Sequence, residues 1–184
     1  MAEAITLPNN FVTVFHSVTT DLELEMPWPK PKNYVPANAK DAILIWGGSS
    51  SVGQFAIQIL KYYGYENIIT TASRKHHPKL SRFGATHTFD YRSSNVVAEI
   101  LSVAPKIQFI LDCIGSLEGS LQPISKIAKK GSKAAILLPV ILRDSSDTVD
   151  PEYGFDVSKV VEWEEGVDAR GVRTHFYLNV SFGW

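Results

Sequence analysis

From residue 42 onward, short apolar runs alternate with stretches in which apolar residues recur at helical spacing. Ala42–Trp46, AILIW, is a continuous run of β-formers too short for an independent helix, which suits a strand buried on both faces of a parallel sheet. The segments Asn67–Ser73, Thr86–Tyr91, Ile107–Cys113 and Ser132–Leu138 read as further strands. Between the first two, Val52, Phe55, Ala56, Ile59, Leu60 and Tyr63 share one helical face. His77–Phe83 predicts a short helix ended by Gly84, and Asn95–Val103 a helix with Val96, Val97, Ile100 and Leu101 inward. Leu117–Ala128 predicts another, with Leu121, Ile124, Ile127 and Ala128 on one side and Gly131 closing it. Strands separated by helices imply βαβ crossovers, hence an α/β fold with a doubly wound, mostly parallel sheet.

The two ends follow other patterns. At the start, Pro8 with Asn9 or Asn10 predicts the opening of a helix in which Phe11, Val14, Phe15 and Val18 share a face. Met26–Lys32, MPWPKPK, cannot be helical, and its alternating prolines favour an extended linker over an SH3- or WW-type ligand. Residues 1–40 thus form a helical and linker extension, and 41–180 the main domain. Arg143–Pro151 is polar and turn-rich and reads as a surface loop, while Val172–Val180 alternates in part and predicts a sixth strand.

Composition narrows the class without naming it. The chain has 184 residues, 45% hydrophobic and 20% charged, as in an ordinary globular protein. A formal net charge of −1 offers no basic field for nucleic acid or for an anionic membrane surface. The one cysteine, Cys113, excludes an intrachain disulfide and a multi-cysteine zinc lobe. MAEAITLPNN has no basic-then-apolar leader, and no apolar run reaches bilayer length, so a reducing, cytoplasmic setting is expected.

The chemistry concentrates in Ala42–Gly53, AILIWGGSSSVG: strand, small-residue turn, helix start. Gly48-x-Ser50-x-x-Gly53 matches the G-x-G-x-x-G spacing with serine in the middle place. On spacing alone this is either a pyrophosphate cradle of a Rossmann-type fold or a turn whose glycines serve only close packing. A P-loop is excluded, because Gly53 is followed by Gln54 and not by lysine. An NAD-preferring site wants a carboxylate at the end of the second strand. Here that position holds Ser73, Arg74, Lys75 and His76, with no carboxylate between Asn67 and Arg82. Two cations and a hydroxyl suit the 2′-phosphate of NADPH, the alternative being a solvated basic loop.

The runs LPNNFVTVFHSV, PWP, ILIWGGSSSVGQFAIQILK, ITTASRKH, GATHTFDY, FILDCIG and THFYL together resemble the cofactor-binding part of the medium-chain dehydrogenase/reductase superfamily. More narrowly they resemble its zinc-independent enoyl-reductase and quinone-reductase branch, including the trans-acting enoyl reductases and toxin-cluster reductases of filamentous fungi. The resemblance implies an NADP(H) cofactor, with Gly48, Ser50, Ser51, Val52 and Gly53 at the pyrophosphate. Ser73, Arg74 and Lys75 would hold the 2′-phosphate with His76 close by, and Tyr91 would lie against the adenosine. Leu138 and Pro139 would line the nicotinamide pocket, with Thr13 near it. Read without the resemblance, Tyr91 is a strand-end aromatic covering the sheet and Thr13 an ordinary helix-surface residue.

A full member of that superfamily begins with a GroES-like catalytic lobe, which is not found in this sequence. The expectation is therefore a truncated oxidoreductase that transfers hydride to an enone, enoyl or quinone acceptor. The alternative is a non-catalytic NADPH-binding or partner-binding module that associates with itself or with another chain. No catalytic residue is assigned. His76-His77 lacks a third metal ligand, Asp112-Cys113 lacks a base, and no tyrosine has the short-chain dehydrogenase's Tyr-x-x-x-Lys spacing. Asp90 is set aside as a ribose ligand for S-adenosylmethionine because it ends the third strand and not the second.

Overall fold

A computed structural model describes residues 2–174. Strand β1 (Ile43–Trp46) is buried at every position, and its odd and even residues serve two different cores. Ile43 and Ile45 face helices α1 (Ala2–His16), α2 (Ser51–Tyr63) and α3 (His77–Phe83), packing with Val14, Val18, Ala56, Leu60 and Leu80. Leu44 and Trp46 face α4 (Val96–Val103) and α5 (Gln122–Ile127), packing with Val96, Ile100, Leu121, Ile124 and Ile127. The period of two in a strand makes an all-apolar run necessary when helices cover both faces. Each fully buried aliphatic side chain contributes roughly 1.5–3 kcal/mol.

The other strands are β2 (Ile68–Thr71), β3 (His87–Phe89), β4 (Phe109–Asp112), β5 (Lys133–Leu137), β6 (Val140–Arg143), β7 (Glu152–Gly154) and β8 (Asp168–Val172). Six of them form one sheet in the order β3-β2-β1-β4-β5-β8, every neighbouring pair parallel. The order reverses between β1 and β4, which opens a crevice at their carboxyl ends. Trp46, Thr71 and Asp112 stand side by side in register at that edge.

Three expectations about the ends are revised. The first helix begins at Ala2, so Pro8 lies inside it and not at its opening. Proline removes only the bond to the turn before it, and the buried Val14 and Val18 hold the remaining turns on the core. The sixth strand is β8, Asp168–Val172, which overlaps the expected Val172–Val180 only at Val172; positions 175–180 lie outside the described residues. Its polar residues hid it from the apolar pattern. Arg170 bonds Asp168 at 2.6 Å and Glu23 at 3.0 Å, satisfying charges on a sheet-edge strand. Residues 140–154 hold an antiparallel hairpin, β6 with β7, of which only the polar connection after Arg143 reads as loop in the sequence.

The amino-terminal extension is part of the fold. Val14, Val18, Leu22, Leu24 and Met26 are buried in the same cluster as α2 and β1. Met26–Lys32 contains no helix, as its prolines dictate.

Candidate cofactor site

The glycine turn after β1 is fixed by its neighbours. Thr71 accepts from two successive amides, Gly47 N–H at its hydroxyl (3.0 Å) and Gly48 N–H at its carbonyl (2.9 Å). Gly47 adopts a positive φ of +86°, and a Cβ on Gly53 would lie 2.5 Å from the Gly47 carbonyl oxygen. A Cβ on Gly48 would meet the Thr70 hydroxyl at 2.0 Å. Close packing alone therefore demands glycine at 48 and 53.

Ser50 in the middle place has its own task. It is the N-cap of α2, and its hydroxyl accepts from Gly53 N–H at 3.1 Å. Its own N–H already donates to the Gly47 carbonyl at 3.0 Å. The next two amides, of Ser51 and Val52, belong to the first helical turn, where no upstream carbonyl can accept them. With the positive end of the helix dipole behind them, they are the donors this turn offers to an anion.

The loops after the other strands converge on the same edge. After β2, Arg74–His76 form a 3₁₀ turn with Ser73 half-buried before it. Arg74 and Lys75 are exposed, the Arg74 side chain at 84%. After β3, Asp90 Oδ2 lies 3.5 Å from Arg74 Nε, while Asp90 Oδ1 accepts from Arg92 N–H at 3.1 Å. Tyr91 is 42% exposed, with the Arg92 guanidinium over its ring. After β5, a cis bond joins Leu138 to Pro139; Leu138 is half-buried and Pro139 exposed. Thr13 lies elsewhere in the hydrogen-bond pattern: it is buried on α1, and its hydroxyl donates to the Asn9 carbonyl at 2.9 Å.

The loop after β4 holds Ile114 and Gly115, to which the sequence reading gave no role, beside Asp112, which it weighed only with Cys113 as a nucleophile. Ile114 is 46% exposed and occupies the space a Gly47 side chain would need. A Cβ on Gly115 would lie 2.5 Å from the Leu137 carbonyl, so the β4 and β5 loops touch by backbone. Asp112, fully buried, organises this loop: it accepts from Ile114 N–H (2.9 Å), Gly115 N–H (3.3 Å) and the Ser120 hydroxyl (2.6 Å). The available signal was a carboxylate closing an otherwise apolar strand. Cys113 is half-buried; burial first, then the adjacent Asp112 charge, raises its thiol well above the ordinary range, against a hydrogen bond with Ser50. It remains a thiol at neutral pH, not a nucleophilic thiolate.

Burial lifts Asp112 to about 6, against the opposing pull of Ser120 and the two amides. The folded chain thus binds this proton more tightly than the unfolded one, so stability falls as pH rises from about 4 to about 6. The expected loss is on the order of 3 kcal/mol. Asp112→Asn keeps the Ile114 bond, gives up the one from Gly115 N–H, and lets its amide donate to Ser120, whose hydroxyl turns to the Ser116 carbonyl at 3.0 Å. Urea unfolding across this range should show wild type losing stability relative to Asp112→Asn. A difference that does not change with pH would refute the assignment.

Among the described residues, no group of three His, Cys, Asp or Glu side chains is disposed to hold a metal ion. None of their helices is long and apolar enough to cross a membrane. A parallel sheet with this strand order, a capped helix N-terminus at its switch point and five loops on one edge define a Rossmann-type cofactor-binding domain.

Comparisons with known proteins give the same class. Residues 51–137 match the model of the zinc-binding dehydrogenase family. The chain is 42% identical over 105 residues to the trans-enoyl reductase tazE of Aspergillus terreus, covering 55% of this chain and 33% of that protein. It is 32% identical over 142 residues to the uncharacterized protein YNL134C of Saccharomyces cerevisiae, covering 77% of this chain and 36% of that one. Among solved structures, the CurK enoyl reductase superposes with a TM-score of 0.67 at 19% identity, over 94% of this chain and 44% of that one. The quinone oxidoreductase of Coxiella burnetii gives 0.63 at 20% identity, over 92% and 43%. The chain belongs to the medium-chain dehydrogenase/reductase superfamily of oxidoreductases, as an enoyl-reductase-like, cofactor-binding domain. It spans about a third of the length of these curated relatives.

Proposed function

We propose that this domain binds NADPH for hydride transfer to a small electron-poor acceptor, an enone or enoyl group or a quinone. The observation that carries the reading is the pairing of two features on one sheet edge: the α2 N-terminus, and Arg74 with Lys75 after β2. The spacing suits a dinucleotide, with pyrophosphate at the helix N–H groups and 2′-phosphate at the cations. Ser51 and Val52 would donate to the pyrophosphate, and Gly48, Ser50 and Gly53 would shape the turn beneath it. Ser73, Arg74 and Lys75 would hold the 2′-phosphate with His76 beside them, and Tyr91 would cover the adenosine end. Leu138 and Pro139, with the Asp112-braced loop, would wall the nicotinamide end and keep water from it. When bound, the nicotinamide supplies the hydride; the chain binds it, orients it and polarises its surroundings.

The acceptor class rests on the relatives, whose names are trans-enoyl reductase, enoyl reductase and quinone oxidoreductase. In this reading residues 41–180 are the cofactor-binding unit and 1–40 the junction to a GroES-like lobe, which completes the acceptor cleft from outside these residues. A fluorescence titration with NADPH and NADH should show saturable binding with NADPH the tighter. Reduced-cofactor oxidation should then be followed over a panel of enones and quinones, with and without an added amino-terminal lobe. Absence of saturable binding by either dinucleotide would overturn the reading.

A further inference from the structure

The sequence places no carboxylate at the end of the second strand, but the fold brings one there from the third. Parallel pairing of β2 with β3 aligns Thr71 with Phe89, so Asp90 follows directly beside the Ala72–Arg74 corner. The Ala72 N–H donates to the Phe89 carbonyl at 2.9 Å and fixes this alignment one residue past the strand. Asp90 is itself held. Its Oδ1 accepts from Arg92 N–H and its carbonyl from Ser93 N–H at 2.9 Å, and its side chain is only 17% exposed. The remaining oxygen, Oδ2, is the one 3.5 Å from Arg74 Nε.

Resting on the NADPH reading above, we infer that Asp90 sets how strongly the site discriminates between the two dinucleotides. A 2′-phosphate must share or displace Asp90 to engage the Arg74 guanidinium, and it brings like charge close to a fixed carboxylate. The ribose 2′-hydroxyl of NADH meets the opposite situation: it donates, and Asp90 is an acceptor that Arg74 can release, because that side chain is 84% exposed. The same corner therefore holds a cation that favours the phosphate and a carboxylate that opposes it. The chain prefers NADPH less sharply than Ser73-Arg74-Lys75 alone would dictate.

Asp90→Asn tests this, because asparagine keeps the acceptor for Arg92 N–H and removes only the charge. Dissociation constants for NADPH and NADH are measured by fluorescence on the full 184-residue chain, with melting temperature as the control. NADPH should bind about two- to fivefold tighter, the effect of one exposed charge. NADH should bind weaker by a similar factor, widening selectivity about tenfold overall. In an Arg74→Ala background the same substitution should improve NADPH affinity by a smaller factor, since the competition for Arg74 is gone and only the repulsion between phosphate and carboxylate is left to remove. Unchanged or reduced selectivity in Asp90→Asn, at an unchanged melting temperature, overturns the inference and leaves the dinucleotide reading intact. If Asp90→Asn lowers the melting temperature, Asp90→Ser, which keeps a turn-forming oxygen, decides by the same ratio. Failure of both dinucleotides to bind wild type defeats both.

Discussion

The double variant Arg74→Ala/Lys75→Ala is expected to lose the preference for NADPH, its NADPH affinity reduced by at least about tenfold, with Asp90 left to tilt the site toward NADH. A hydrogen bond to a charged group contributes about 1.5–3 kcal/mol, and the exposure of both side chains argues for the lower end. The same exposure makes the result readable. Neither side chain belongs to the core, and the one ion pair lost among the described residues, with Asp90, is a surface pair of small value. Melting temperature should therefore hold while the preference for NADPH disappears. Isothermal titration of wild type and variant, with inorganic phosphate as a competitor, measures the effect. Persisting NADPH preference in the variant would place the 2′-phosphate elsewhere on the sheet edge.

Gly53→Ala should be strongly damaging for a single added methyl group. The added carbon would stand 2.5 Å from the Gly47 carbonyl oxygen, 2.7 Å from Gly48 Cα and 3.0 Å from Gly48 carbonyl carbon. All three are backbone atoms, so no side chain can rotate away. The Gly47–Gly48 turn cannot shift freely either, because both of its amides are bonded to Thr71. Overpacking of this kind costs typically about 1–3 kcal/mol, or a fall of several degrees in melting temperature for a chain of this size. Dinucleotide affinity should fall with it, because relieving the clash pushes the α2 N-terminus away from the turn. Gly53→Val, with a branched side chain at the same point, should go further and deplete the folded state. A Gly53→Ala variant that melts like wild type and binds NADPH like wild type would show that this close approach carries neither role.

How much of the site was legible varies with the distance over which it is built. Ser50 reads in the sequence as a substitute for a phosphate-facing glycine. In the fold its hydroxyl caps α2 and its amide is bonded within the turn, so the donors left over are Ser51 and Val52. The cap is a three-residue event, and the spacing from Ser50 to Gly53 announces it. Asp112 was visible as a charge at the end of an apolar run. Its partners Ser120 and Gly115 depend on how the chain returns after β4, which no spacing rule gives. The hairpin and β8 were harder still. Gly171 sits under the Leu138 side chain, and Asp168 and Arg170 pair with each other, so β8 lacks the apolar alternation by which strands are recognised.

The sequence by itself determined the βαβ alternation, the glycine turn and the basic corner after β2, because each is written in neighbours along the chain. Apolar runs of four or five residues must become buried strands, an apolar stripe at helical spacing must cover them, and Gly84 stops a helix wherever that helix packs. Tertiary structure decided what lies across from these elements. It paired β2 with β3 and so set Asp90 beside Arg74, though 16 positions separate them in the chain. It also seated Val14 of the amino-terminal helix and Val18 just after it in the sheet's own core, and placed Ile114 over Gly47. The reason is physical: local propensity is settled within a turn or a strand, whereas the sign of the charge at a binding corner depends on contacts that exist only once the sheet has closed its register.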